Sequence, residues 1–318
     1  MANSVVWFSH AVKHTVRQKL PKLGKHLKYC RRQMLNVEDA SCAIEKAIVS
    51  GQPFMAGRVG LFEQAVMRMY EFHIRKKYAL TMNNIYQCAG FFPNDTALGE
   101  RFLQTMTDSL QVTDIYACNR QFLEDYFIDR YLPESALVAE SLGVFDVFAL
   151  EHHWSRALAG KKVLVVTSFP DSVRQQYAKR EQIYPGTDIL PAFDLQVYQS
   201  LMTIGDLRDE RFATWFDALD FMKQEILEKD FDIALLSCGA YGFPLAAEIK
   251  KAGKQAVYVG GVLQILFGIM GRRWDGSRFG GIEHMPKKLK PYYNDAWTYP
   301  IEERPEQADK VEYGPYWK

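Results

Sequence analysis

Continuous apolar runs separated by amphipathic segments dominate the second half of the chain. The runs are rich in β-branched residues and show no polar alternation, at 162–170, 232–239 and 255–261. Strands of this kind are buried on both faces, which is typical of parallel sheets. Segments with helical periodicity separate them at 171–180, 215–229 and 244–252, and a short strand is expected at 189–193. The pattern predicts an α/β fold with a Rossmann-like, mostly parallel sheet flanked by helices.

The first half is predicted to be richer in helices. A helix at 37–49, a strand at 54–60 and a second helix at 61–72 follow one another. Residues 94–143 are expected to be mainly helical, with one short strand at 112–118. We therefore divide the chain into a basic helical arm (1–35), an α/β domain (36–285) and an aromatic, proline-rich tail packed on that domain (286–318).

Charge is unevenly distributed, although the formal net charge of the 318 residues is only +1. The first 37 residues contain no Asp or Glu but eight Lys or Arg residues. A balanced total disfavours a nucleic-acid partner. For the arm two interpretations stay open: residues 1–32 contact an anionic membrane surface, or they form a solvated arm that packs on the domain.

The chain shows no apolar run long enough to cross a bilayer and no secretory signal. Its five cysteines are scattered, without a disulfide framework or a zinc pattern. We expect a cytoplasmic protein, with peripheral contact at the inner face of the cell membrane if the arm binds lipid.

Ligands of open parallel sheets bind beyond the carboxyl ends of the strands. The most informative strand end is a bend of small residues suited to a phosphate, formed by Ser237, Cys238, Gly239 and Ala240. Ser168 and the pair Gly260 and Gly261 end two other strands. The alternative is an ordinary strand-to-helix turn. Cys238 is either a nucleophile at a helix start or a small packing residue.

Arg58, Gly60 and Glu63 lie where the predicted strand at 54–60 enters a turn and the next helix begins, and they form a second candidate. An arginine at a strand end can pair with a diphosphate, and Glu63 in the next helix can act as a base or metal ligand. The alternative is a structural ion pair at a helix N-terminus. Arg272, beside Trp274, is a further candidate for phosphate binding.

The order of these pieces resembles the GT-D-fold glycosyltransferases of bacterial surface-glycan synthesis, and more closely their relatives from polysaccharide gene clusters. That family carries R-x-G-D-G-E near its first strand, where D-x-E holds a divalent metal beside the donor diphosphate. Here Arg58, Gly60 and Glu63 match the motif, but Leu61 replaces the aspartate and Phe62 the second glycine. The span 232–261, with K-x-G-x-Q-A at 251–256, also follows the family's order.

The resemblance implies a glycosyltransferase that uses a nucleoside diphosphate sugar, expected to be UDP-linked, and a glycan or lipid-linked acceptor. It also implies Mn²⁺ or Mg²⁺ at Glu63, with Glu63 as the catalytic carboxylate. Leu61 cannot ligate a metal. Three alternatives follow: metal-independent transfer, replacement of the missing ligand by Asp171, Asp194 or Asp275, or loss of transfer in a nucleotide-sugar-binding regulator. A Cys238-dependent hydrolase or acyltransferase is a further class.

Overall fold

One sheet of eight parallel strands organises the computed structural model, which describes residues 2–19, 28–277, 282–310, 314 and 316–318. The strand order is β1-β4-β3-β2-β8-β7-β5-β6. Every neighbouring pair is parallel. The strands are β1 (Met34–Leu35), β2 (Phe54–Gly57), β3 (Ile115–Ala117), β4 (Leu137–Ala139), β5 (Lys162–Thr167), β6 (Asp194–Gln199), β7 (Ile233–Ser237) and β8 (Gln255–Tyr258).

Helices cover both faces of this sheet. In the described part of the chain they are α1 (Ala2–Lys19), α2 (Val37–Ser50), α3 (Leu61–Glu71), α4 (Tyr78–Ala89), α5 (Gly99–Leu110), α6 (Glu124–Tyr131), α7 (Pro170–Ala178), α8 (Arg180–Ile183), α9 (Trp215–Leu227), α10 (Gly242–Lys251) and α11 (Leu263–Leu266). The predicted Rossmann-like α/β fold is confirmed. None of the described helices is both long and apolar enough to cross a membrane.

The central strands are buried on both faces, as their unbroken apolar sequences predict. In β5, Leu164 and Val166 belong to one hydrophobic core, whereas Val163 and Val165 belong to the other. Helices α3, α4, α5, α9 and α10 supply side chains to the first core, and α2 and α7 supply side chains to the second. Trp297, from the C-terminal segment, also lies in the second core.

Local sequence signals set several helix ends. The Asn36 side chain accepts a hydrogen bond from the backbone N–H of Asp39 at the start of α2. Thr214 and Asp217 form a reciprocal capping box at the start of α9. These caps explain why both helices begin where the polar-to-apolar pattern changes.

One predicted strand needs correction, and two further strands were not predicted. The expected strand at 189–193 is wrong: Ile189 and Leu190 are buried outside a strand, and β6 begins at Asp194. Strand β6 pairs only with β5 among the described strands, and the polar residues within it are compatible with that edge position. Strand β1 has only two residues and was not predicted. Strand β4 corrects the prediction that 112–118 holds the one strand within 94–143.

Candidate functional site

A pocket with about 970 Å³ of space, partly open to solvent, lies at the carboxyl ends of four neighbouring strands, β2, β8, β7 and β5. Its described lining comprises Arg58, Gly60, Leu61, Phe62, Glu63, Cys88, Ala89, Gly90, Ser168, Phe169, Leu201, Met202, Thr203, Ile204, Ser237, Cys238, Gly239, Tyr241, Tyr258, Gly260, Gly261, Gln264, Tyr316 and Trp317. This is the edge where parallel α/β sheets bind ligands. Arg58 and the bend at 237–242 thus meet at one pocket.

Arg58 follows β2 directly and supplies the positive charge of the pocket. Its guanidinium carbon lies 5.1 Å from the centre of the Tyr258 ring. Burial lowers the pKa of Arg58, but Tyr258 and Glu63 outweigh burial, and the pKa is raised above its usual value. Within the described part of the chain, the guanidinium donates no hydrogen bond to another residue. Its N–H groups are therefore available to an anion in the pocket.

Gly260, at the end of β8, makes room for this guanidinium. Its φ is +75°, a backbone conformation that favours glycine. A Cβ built at Gly260 would lie 2.6 Å from Nη2 of Arg58. The backbone conformation therefore favours glycine, and a side chain at this position would displace the end of Arg58.

Glu63 folds back onto the start of its own helix. It is the third residue of α3, only 5% of it is exposed, and a Cβ at Gly60 would overlap its carboxylate. A carboxylate in this position is stabilised by the positive end of the helix. Glu63 also interacts electrostatically with Arg58. The spacing of Gly60 and Glu63 thus has a structural reason of its own, beside any catalytic one.

The donor set that the described residues give the pocket does not fit a divalent metal. Arg58 and Glu63 are the charged side chains that line it within the described residues, and Leu61 stands where a second carboxylate is needed. No group of three or more His, Cys, Asp or Glu suited to a metal occurs in the described part of the chain. Mg²⁺ and Mn²⁺ favour several oxygen ligands. Among the described lining residues, Glu63 is the single carboxylate that can supply them.

The three carboxylates considered as substitutes do not line the pocket. Asp171 is exposed and pairs with Arg174 at 2.8 Å. Asp194 begins β6 and so lies at the opposite, amino-terminal edge of the sheet. Asp275 accepts a hydrogen bond from the Tyr299 hydroxyl at 2.7 Å. Among these positions nothing replaces the missing aspartate.

Contacts with α4 and β8 hold the bend after β7 in place. Gly239 has a φ of +56°, and a Cβ there would lie 3.0 Å from the Ala89 carbonyl oxygen. The Tyr258 hydroxyl donates to the Gly239 carbonyl at 2.8 Å. Ser237, which precedes the bend, has no side-chain hydrogen-bond partner among the described residues and lines the pocket. Its hydroxyl is therefore available to a ligand.

Cys238 has the properties of a packing residue. It is 5% exposed, and burial raises the pKa of its thiol far above the usual range. A nucleophilic cysteine needs the opposite shift and a nearby base. None of the described histidines lines this pocket. The arrangement does not favour a cysteine-dependent hydrolase or acyltransferase.

Nine of the eleven predicted site residues meet at the pocket. They are Arg58, Gly60, Glu63, Ser168, Ser237, Cys238, Gly239, Gly260 and Gly261. Two predicted residues do not line it. Ala240 is buried in the first core, and the backbone N–H of Arg272 donates to the Trp317 carbonyl at 3.0 Å. Whether the nine residues bind a ligand remains a prediction.

Residues 316 and 317 form a part of the pocket that was not predicted from the sequence. Tyr316 and Trp317 line it, and a Cβ at Gly261 would overlap the Tyr316 ring. The Trp317 ring packs edge-on against Phe169, with 5.2 Å between ring centres. The aromatic tail and the paired glycines at 260–261 are recognisable in the sequence, but no pattern of neighbouring residues indicates that they come into contact.

Comparison with known proteins identifies no relative: no family model, curated protein or solved structure matches the chain.

Proposed function

We propose that this pocket binds a nucleoside diphosphate sugar, with UDP-linked donors the first to test, and that the chain transfers the sugar to a hydroxyl of a glycan or lipid-linked acceptor. The observation that carries the proposal is Arg58: a charged guanidinium at the ends of β2 and β8, next to the pocket, that donates no hydrogen bond within the described chain. Arginine in such a position suits a diphosphate, because its fork of N–H groups matches phosphate oxygens.

The remaining lining suits the other parts of such a ligand. Small residues at 237–239 and 260–261 allow close backbone approach to phosphate oxygens. Aromatic side chains, among them Phe62, Phe169 and Tyr316, offer flat apolar surface to a base or a sugar ring.

The transfer step follows from the two charged residues. An acceptor hydroxyl attacks the anomeric carbon, the bond from that carbon to the diphosphate oxygen breaks, and the diphosphate leaves with the electron pair. Arg58 neutralises the charge that develops on the leaving group. Glu63, the carboxylate that lines the described part of the pocket, takes the acceptor proton. We propose that no divalent metal takes part, since the donor set does not fit one.

A cytoplasmic location belongs to this proposal. All five cysteines are free, which suits a reducing compartment.

The second candidate is a regulator that binds a nucleotide sugar without transferring it. Binding without transfer is supported by the surroundings of Glu63, which is packed onto Gly60 and interacts with Arg58. These contacts give the carboxylate a structural role that does not require catalysis. Under this alternative Arg58 and the bend still bind the diphosphate.

A donor screen separates the two candidates. Thermal unfolding is measured with UDP, GDP, CMP and their sugars, with EDTA or with Mn²⁺. Release of the free nucleotide, as the sugar passes to water or to an added glycan acceptor, is followed in parallel. A true ligand at about 100 times its Kd adds roughly 2.7 kcal/mol to the free energy of unfolding. Transfer predicts stabilisation in EDTA together with nucleotide release that drops by about 10²–10⁴-fold in Glu63→Gln. Stabilisation without release supports the regulator, and no stabilisation by any of these compounds contradicts both.

A further inference from the structure

Helix α1 turns an apolar stripe towards solvent. Val5 and Phe8 are each 69% exposed and Val12 is 46% exposed. The spacing of three and four residues places them on one side of the helix. Three of the seven large apolar side chains that are exposed in the described residues therefore lie on this one short stripe. Exposed apolar groups concentrated in this way mark an interaction surface.

The opposite face of α1 is the one that packs on the domain. Trp7 makes edge-to-face contacts with Phe72 and Phe122, with ring centres 5.3 and 4.9 Å apart. Arg17 donates to the Asp125 carboxylate at 3.3 Å. The helix is thus docked by Trp7 and Arg17, and the exposure of Val5, Phe8 and Val12 is a consequence of that docking.

The charge around the stripe has one sign. No Asp or Glu occurs in the first 37 residues, and α1 itself carries Lys13, Arg17 and Lys19. Arg17 is paired with Asp125, but Lys19 is exposed at the end of the helix. An apolar strip bordered by lysine complements a surface that is apolar below and negative above, as an anionic bilayer is.

We propose that the outward face of α1, defined by Val5, Phe8 and Val12, binds the surface of a membrane that contains anionic lipid. The helix lies in the interface, with these three side chains among the acyl chains and the lysines at the headgroups. A second copy of the chain is a poorer partner, because a symmetric contact through α1 brings lysines together without any carboxylate on the helix.

One docking contact of α1 lies in a loop beside the strands that carry the pocket. Phe122, which Trp7 contacts, lies in the loop after β3, at the carboxyl edge of the sheet. Strand β3 pairs with β2, which ends at Gly57, directly before Arg58. The membrane inference rests on α1 and is independent of what the pocket binds.

The test is co-flotation of the full chain with vesicles of phosphatidylcholine alone or mixed with phosphatidylglycerol. We expect binding to the mixed vesicles that weakens with added salt, and little binding to phosphatidylcholine alone. The triple variant Val5→Ser, Phe8→Ser, Val12→Ser is expected to lose binding by about tenfold or more. A matched control replaces three exposed apolar residues elsewhere, as Val49→Ser, Leu80→Ser and Ile301→Ser, and is expected to bind as the unmodified chain does.

Equal binding by the triple variant and the control would overturn the proposal, as would absence of binding to the mixed vesicles. Sedimentation velocity gives a separate outcome: a dimer that the triple variant converts to a monomer, without vesicle binding, assigns the stripe to contact between copies instead. Circular dichroism and thermal unfolding of both triple variants show that neither has lost its fold.

Discussion

Arg58 and Gly260 are in close contact at the carboxyl edge of the sheet: a Cβ built on Gly260 would lie 2.6 Å from Nη2 of the Arg58 guanidinium. One residue follows β2 and the other follows β8, and these strands are neighbours although about 200 residues separate them in the chain. The Arg58 guanidinium can thus occupy its position because the residue beside it, after the adjacent strand, is a glycine.

Gly260→Ala is expected to displace Arg58 as well as to strain the backbone. The positive φ costs about 1–3 kcal/mol in the free energy of unfolding, and UDP affinity falls with the displaced guanidinium. Gly253→Ala is the matched control, since its φ is +83° but no atom lies within 4 Å of the added Cβ. Chemical denaturation should show a loss in both variants, and calorimetry should show weaker UDP binding in Gly260→Ala alone. Equal affinities would contradict the steric relationship.

Gly60 and Glu63 are expected to be energetically coupled. Gly60→Ala places a Cβ on the Glu63 carboxylate, which is the end of a flexible side chain and can move away, so the free energy of unfolding should fall by about 1 kcal/mol or less. In the Glu63→Ala background the same change should cost less, because the carboxylate is gone. A double-mutant cycle by urea denaturation measures the difference, for which contacting residues typically give about 0.5–3 kcal/mol. Additive effects would show that the carboxylate does not rest on Gly60.

Cys238 is expected to be dispensable for chemistry. Burial raises the pKa of its thiol, so it stays protonated at neutral pH. Cys238→Ala should bind UDP and turn over any donor as the unmodified chain does, within about twofold. Mass spectrometry after iodoacetamide treatment should find Cys238 unmodified in the folded protein and alkylated after denaturation. Loss of turnover in a folded Cys238→Ala variant would reopen the covalent mechanism.

The raised pKa of the Asp146 carboxyl predicts how the free energy of unfolding depends on pH. Burial, opposed by Arg273 and Lys288, raises the pKa of this carboxyl to about 6, against roughly 3.9 in an unfolded chain. Folding therefore takes up a proton between these values, and the stabilising contribution of Asp146 is complete below about pH 4 and lost as the pH rises through 6. Asp146→Asn should be more stable than the unmodified chain at pH 7 by about 1–2 kcal/mol. Urea denaturation of both proteins from pH 4 to 7 checks this; parallel curves would contradict the raised pKa.

The strands that build the pocket could be predicted because their apolar runs are long and uninterrupted. The rule that ligands bind at strand ends then pointed to Arg58, Ser237 and Gly260 before any coordinates. Strand β6 was placed too early, because Ile189 and Leu190 are apolar and buried without being in a strand.

Other features could not be predicted from the pattern of neighbouring residues. The packing of Glu63 onto Gly60 could not be predicted, although the two residues are close in sequence. A glutamate in the first turn of a helix usually indicates only a favourable interaction with the helix N-terminus. The arrival of Tyr316 and Trp317 at the pocket depends on the path of the C-terminal segment over the sheet. Arg272 does not line the pocket, and its backbone N–H donates to the Trp317 carbonyl, a contact that also depends on the path of the C-terminal segment.

The central claim is that Arg58 binds the phosphates of a nucleotide ligand. Isothermal titration of UDP in EDTA, with the unmodified chain, Arg58→Ala and Arg174→Ala, tests it most directly, since Arg174 is a surface arginine that does not line the pocket. We predict binding that Arg174→Ala preserves and that Arg58→Ala weakens by about 10–100-fold, the loss expected for hydrogen bonds to a charged group. The same Kd in Arg58→Ala as in the unmodified chain would contradict the claim.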